Sequence, residues 1–294
     1  MKRRSEKLIT NTIRIAGSSS ILFIMLIFIF LLREGLPVLG ELSLSSLFST
    51  RWYPIEDLFG ILPLLSGSLI VTIFSILIAL PLGVGTAIYI GEIAPHNVKE
   101  FMKPLVEILA GIPSVVLGFI GILVLSPLLR RAFNLPTGLT AFSGAVLLAL
   151  ISIPTIASIA EDALYSVPKS YRDASYALGA TQWQTIWGVV IPAARSGILT
   201  AVMLGIGRSL GETMAVMMVT GNAPTVFTGI ASFIAPVRTM TATIASEMGE
   251  VATGSTHYHM LFFIGIILFL VSLAINIASA ALLQKRGKQA RGVS

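Results

Sequence analysis

One arginine and one glutamate stand inside a long apolar run, Gly197-Ile-Leu-Thr-Ala-Val-Met-Leu-Gly-Ile-Gly-Arg208-Ser-Leu-Gly-Glu212-Thr-Met-Ala-Val-Met-Met218. Four residues apart on a helix, Arg208 and Glu212 fall on the same face. A guanidinium is a planar fork that suits a tetrahedral oxyanion better than a point charge does. A carboxylate beside it would hold the arginine when no anion is present and would weaken the net attraction, so that an anion can leave again. These two residues are the candidates for a substrate path. The plainer alternative is an ion pair that pins helices together. Gly205, Gly207 and Gly211 thin the helix around the pair, which permits a close neighbouring helix or leaves room for a ligand.

What must position such a pair is a bundle of membrane helices. Of 294 residues, 55% are hydrophobic and only 12% are charged, about half the usual charge of a soluble domain. Mean hydropathy is +0.89. There are no cysteines, which excludes a disulfide framework and thiolate metal sites. A span needs about 20 mostly apolar residues. Six stretches qualify: Ile13–Leu32, Leu62–Ile90, Leu105–Leu129, Leu139–Ala160, Gly197–Met218 and Met260–Leu283. Backbone groups in lipid must be satisfied within the segment, so helices are the expected form. The fold class is therefore an all-α polytopic membrane protein. Short cytoplasmic ends, 1–12 and 284–294, flank a transmembrane domain over 13–283. The first span is too long for a signal peptide, and no small-residue cleavage site follows it.

The basic residues set the orientation. With both ends inside, the cytoplasmic segments hold fourteen Lys and Arg and the outer segments hold five, namely Arg33, Arg51, Arg130, Arg131 and Arg238. The formal charge of +6 thus reports topology, with no need for a nucleic-acid partner.

The inside segment between spans four and five, about 161–192, carries its own pattern. Pro168 and Ser170 supply a break and an N-cap for a short helix through Ala177. Gly179 suits the left-handed residue just past a helix end, and Thr181 can cap a second helix through Trp183 and Trp187. This helix, turn, helix unit would expose small residues and aromatics. It reads either as an interfacial anchor or as a knob for a cytoplasmic partner.

The spacing Asp173-Ala174-Ser175, three residues, Gly179, nine residues, Val189-Val190-Ile191-Pro192 resembles the cytoplasmic motif of ABC-importer permease subunits. That motif reads Glu-Ala-Ala, three residues, Gly, nine residues, Ile-x-Leu-Pro. The resemblance implies a type I ABC-importer permease fold whose loop docks on a separate ATPase, with Asp173, Ala174, Ser175, Gly179, Ile191 and Pro192 as coupling-loop residues. Gly207-Arg208-Ser-Leu-Gly-Glu212-Thr-Met-Ala-Val216 is further similar to phosphate-importer permeases of the PstC type. So are Arg33-Glu34-Gly35-Leu36-Pro37, Ala110-Gly111-Ile112-Pro113-Ser114-Val115-Val116 and Thr239-Met-Thr-Ala-Thr-Ile-Ala-Ser-Glu-Met-Gly249. That likeness implies a multi-pass subunit of a bacterial or archaeal cytoplasmic membrane. Its partners would be a PstA-type permease, two copies of a PstB-type ATPase that bind ATP and Mg, and an extracytoplasmic PstS-type phosphate-binding protein. The substrate would be inorganic phosphate. A role for Arg208 and Glu212 in passing phosphate is implied in the same way.

The chain has no phosphate loop of its own, since Gly287-Lys288 is followed by Gln, so ATP falls to another subunit. No cofactor is expected in this chain and no enzymatic activity, since too few titratable residues lie deep in the spans. Other oxyanions remain rivals to phosphate, and a channel or ATP-independent transporter remains a rival to the importer. Pro113 and Pro154 could break their helices and free N–H groups beside Ser114 or Thr155, or could simply kink them. Glu107 can snorkel to the interface. His257-x-His259 offers too few ligands for a metal. The outer segment Gly221–Tyr258 could hold a short helix where a binding protein docks, or merely cap the bundle.

Overall fold

A computed structural model describes the backbone of residues 2–291 and the side chains of 10–229, 232–278 and 281. The described residues contain six helices long and apolar enough to cross a membrane. The principal helices are α1 (Lys2–Gly35), α2 (Leu62–Ile88), α3 (His96–Gly111), α4 (Ser114–Ala132), α5 (Ala141–Tyr165), α6 (Lys169–Ala177), α7 (Gln182–Gly211), α8 (Met214–Val219), α9 (Met240–Glu247) and α10 (Thr256–Arg291). A two-stranded antiparallel hairpin, β1 (Trp52–Tyr53) and β2 (Leu58–Phe59), precedes α2. The expected ends 1–12 and 284–294 continue α1 and α10 as helix where they are described. Met1 and residues 292–294 lie outside the described residues.

Helix α5 is the hub. It is buried along most of its length and packs against α2 and α7, while α1 and α10 pair at the side of the bundle. Small residues set the spacing. Ile156 of α5 sits between two glycines: a Cβ on Gly83 of α2 would lie 2.8 Å from its Cγ2, and one on Gly205 of α7 would lie 2.6 Å from its Cγ1. Without a hydrophobic force between helices in lipid, such close approach is what holds them together.

Two spans differ from the expected boundaries, and each for a local reason. Span three does not run unbroken over Leu105–Leu129. Helix α3 ends at Gly111, Ile112 and Pro113 are extended (ψ 129° and 134°), and α4 begins at Ser114. Proline disfavours helical backbone at the residue before it. Pro154 behaves differently, because α5 continues through it without interruption. Span five starts at Gln182 and stops at Gly211, so residues 214–218 belong to the separate α8.

Both chain ends share a side of the bundle with α6. Arg172 of α6 meets Glu92 just beyond α2, and Lys103 of α3 meets Glu161 near the end of α5. At the opposite end lie the hairpin, α9 and the start of α10. There Trp52 donates to Glu247 at 3.2 Å, Arg238 lies 2.6 Å from the same carboxylate and His257 lies 2.8 Å from it. His257 and His259 point to different carboxylates, the latter to Glu41 at 2.9 Å.

Candidate translocation path and coupling face

Arg208 is at mid-depth. Its Nη1 donates to the Thr155 hydroxyl at 2.8 Å, and Thr155 lies two residues from the centre of α5. Its Nη2 reaches the Ala110 carbonyl at 3.5 Å, one of the carbonyls left open where α3 ends. A hydroxyl layer adjoins it. Ser209 is hydrogen-bonded to Ser152 of α5 at 2.9 Å and to Ser75, the middle residue of α2, at 3.2 Å. All three serines are buried.

Arg208 and Glu212 do not form the expected ion pair. The helix ends between them: Glu212 is extended (ψ 127°), and its Oε1 accepts from the backbone N–H groups of Thr213 and Ala215, each at 3.1 Å. It therefore caps the first turn of α8, where an anionic side chain is favoured. Its backbone carbonyl accepts from the Thr241 hydroxyl at 3.2 Å. Broken helices at membrane depth occur where they are buried in protein or line a cavity. Here Glu212 borders a polar cleft with Ser68, Thr72, Ser209, Thr239 and Thr241. The cleft holds about 10 Å³, on the order of one water. The glycines divide between their two possible roles. Gly205 packs on Ile156, whereas a Cβ on Gly207 or Gly211 would meet nothing within 4 Å.

The hydroxyl cleft was not among the sequence candidates. Its signal is the spacing Ser68, Thr72, Ser75, one face of an apolar helix at helical period, followed by Thr239-x-Thr241 on the outer segment.

The other candidates form the knob. Helix α6 starts after Pro168 rather than at Ser170. Gly179 has φ +82°, and the N–H groups of Gly179 and Ala180 donate to the carbonyls of Tyr176 and Ser175 at 2.9 and 3.2 Å, the two bonds of a Schellman turn. Thr181 and Gln184 form a capping box. Ser175 is hydrogen-bonded to Thr185 at 2.9 Å, which ties the two short helices together. Ile191 and Pro192 lie within α7, directly after a π-helical turn over Ile186–Val190. Asp173 and Ala174 lie on α6. Tyr171, Tyr176, Leu178, Trp183 and Trp187 are exposed, so the surface combines aromatic area with small residues.

The knob is clamped to the spans. Arg172 donates to both oxygens of Glu92, at 2.5 and 3.1 Å, and also to the carbonyls of Val167 and Leu164 at 2.7 and 2.9 Å. The Glu92 hydrogen bond raises the Arg172 pKa above its ordinary value, more than burial lowers it. Gln182 donates to the Glu92 carbonyl at 2.7 Å. Lys103 is likewise held charged by its hydrogen bond to Glu161.

Six spans with a helix–turn–helix knob at one end define a type I ABC-importer permease. Solved structures of that kind share the fold. A bacterial ABC transporter involved in import of the acidic polysaccharide alginate aligns with a TM-score of 0.59 at 16% identity, over 92% of this chain and 95% of that one. The MetNI methionine ABC transporter, in an inward-facing conformation, gives 0.57 at 22%, over 77% and 94%. The family described as binding-protein-dependent transport system inner membrane component matches residues 79–288, and this chain belongs to it. The "Probable ABC transporter permease protein YqgH" of Bacillus subtilis is 43% identical over 249 residues, 83% of this chain and 80% of that protein. The "Phosphate transport system permease protein PstC" of Mesorhizobium japonicum is 37% identical over 256 residues, 81% and 77%. The protein is thus a non-catalytic, multi-pass permease subunit of the cytoplasmic membrane, working with an ATPase and a binding protein.

Proposed function

We propose that this subunit forms half of the path of an ATP-driven importer of inorganic phosphate. The observation that carries the reading is the Arg208 guanidinium at mid-depth, next to buried hydroxyls and to the open Gly207 and Gly211 positions, in a chain 37% identical to a PstC protein. A charge at that depth is costly and is a functional candidate by default. The open glycine face would be covered by a PstA-type permease, leaving Arg208 near the seam. The knob from Asp173 to Pro192 would dock on one of two PstB-type ATPase copies, which hold ATP and Mg. A PstS-type protein would deliver phosphate to the outer face.

In this reading ATP binding closes the ATPase pair and pulls on α6. The Arg172–Glu92 clamp passes that movement to α2, and the spans rock between inward- and outward-facing states. Arg208, held at rest by neutral oxygens instead of a carboxylate, offers the passing anion its charge. A weak and exchangeable hold suits a transporter, because a deep well would trap the substrate.

The test is uptake of radiolabelled phosphate in cells lacking their own high-affinity importer, supplied with this chain and its partner subunits. Uptake that excess sulfate does not reduce supports phosphate. Uptake of sulfate or molybdate instead would leave the importer standing and replace the substrate.

A further inference from the structure

At the outer end of α4, Arg130 and Arg131 are both exposed, and neither has an ion-pair or hydrogen-bond partner for its side chain among the described residues. They are two of only five basic residues on the outer side. Of the other three, Arg238 pairs with Glu247 at 2.6 Å and Arg33 lies 3.7 Å from Glu34, while Arg51 is exposed and, among the described residues, likewise without a side-chain partner. Arg130 and Arg131 border a concavity of about 350 Å³ whose far wall is the loop Pro136–Leu139 and whose floor includes Ser126. That wall is fixed. A Cβ on Gly138 would run into the Ser126 carbonyl, and the Ser143 hydroxyl donates to the Gly138 carbonyl. The negative end of the α4 dipole explains why cations are tolerated here. It does not explain a pair of unpaired guanidiniums around a rigid concavity. Below them α4 exposes Leu123, Val124 and Leu128, so the pair stands at the outer end of an apolar helix face, the kind of position at which basic side chains meet lipid headgroups.

We propose that Arg130, Arg131 and the Pro136–Leu139 loop form an extracytoplasmic site for a phosphate group, taken from an anionic lipid headgroup or from inorganic phosphate near the mouth of the path. Guanidinium forks match phosphate oxygens, and Ser126 and Thr137 add hydroxyls to the lining. The inference does not depend on which anion the transporter carries.

The test uses the assembled transporter with Arg208→Gln in every sample, so that the mid-membrane arginine contributes nothing. Lipids retained on purification from membranes rich in phosphatidylglycerol are measured by native mass spectrometry. Broadening of the inorganic phosphate line is measured by phosphorus NMR on the same samples. If the ligand is lipid, Arg130→Gln/Arg131→Gln lowers phosphatidylglycerol retention roughly tenfold, since each basic residue at an anionic surface contributes several-fold, and Arg130→Lys/Arg131→Lys keeps part of it. If the ligand is inorganic phosphate, retention is unchanged and line broadening is lost in the Gln variant. A Gln variant equal to its parent in both measurements overturns the site.

Discussion

The Arg208 guanidinium rests on the Thr155 hydroxyl at 2.8 Å, on a different helix, and not on the Glu212 carboxylate four residues on, which lies past the end of the arginine's own helix. A neutral partner at mid-depth keeps the charge oriented without cancelling it. A hydrogen bond to a charged group contributes about 1.5–3 kcal/mol. Thr155→Val should therefore let the guanidinium wander and lower initial phosphate uptake on the order of tenfold, with membrane levels unchanged. Thr155→Ser, which keeps the hydroxyl, should transport close to wild type. Matched uptake rates for the two variants check this.

Glu212 serves the backbone first. Glu212→Ala removes the acceptor for two N–H groups at the start of α8 and should cost about 1 kcal/mol, as for other N-terminal caps. Glu212→Gln keeps an acceptor oxygen and should retain most of that stability while removing the charge. Thermal unfolding of the purified complex separates the two. A Gln variant that melts like wild type but transports differently would locate the charge in the path.

Gly179 tests the knob. Space beside it is open, since a Cβ would meet nothing within 4 Å, but its φ of +82° is hostile to side chains. Backbone conformation, not crowding, sets the outcome. Gly179→Asn should be nearly silent because Asn tolerates left-handed backbone. Gly179→Val should strain the turn by about 1–3 kcal/mol and reduce ATPase stimulation and transport together. Equal behaviour of the two variants would detach this turn from coupling.

The clamp between Arg172 and Glu92 gives a sharper outcome. Glu92 is largely buried, and removing one partner of a buried pair typically costs about 3–5 kcal/mol. Arg172→Met should leave the ATPase bound, because the exposed aromatics remain, but should separate hydrolysis from phosphate movement. Hydrolysis that continues while uptake falls is the expected signature. Unchanged uptake per ATP would remove the clamp from the transmission route.

Much of this was legible in the sequence, because lipid leaves few choices. Apolar length gave the six spans, and Gly179 and Thr181 marked their turn through conformational demands that few other residues meet. The breaks were harder to read. Pro113 and Pro154 present the same local chemistry, yet one ends a helix and the other sits within α5. Helix α3 itself runs through Pro104 without a break, so a proline in an apolar run does not by itself mark where a helix ends. The four-residue spacing of Arg208 and Glu212 predicted a pair only if the helix continued. Gly211 and the capping geometry of Glu212 ended it. Tertiary partners such as Thr155 and Ser152 come from other spans and leave no mark at the arginine itself.

The most direct measurement is radiolabelled phosphate uptake by the assembled transporter carrying Arg208→Gln, with membrane level and ATPase co-purification followed in the same cells. The expected result is a variant that assembles and binds its ATPase normally but moves little phosphate. Normal uptake by that variant would contradict the assignment and reduce Arg208 to a structural tie between α7, Thr155 and the end of α3.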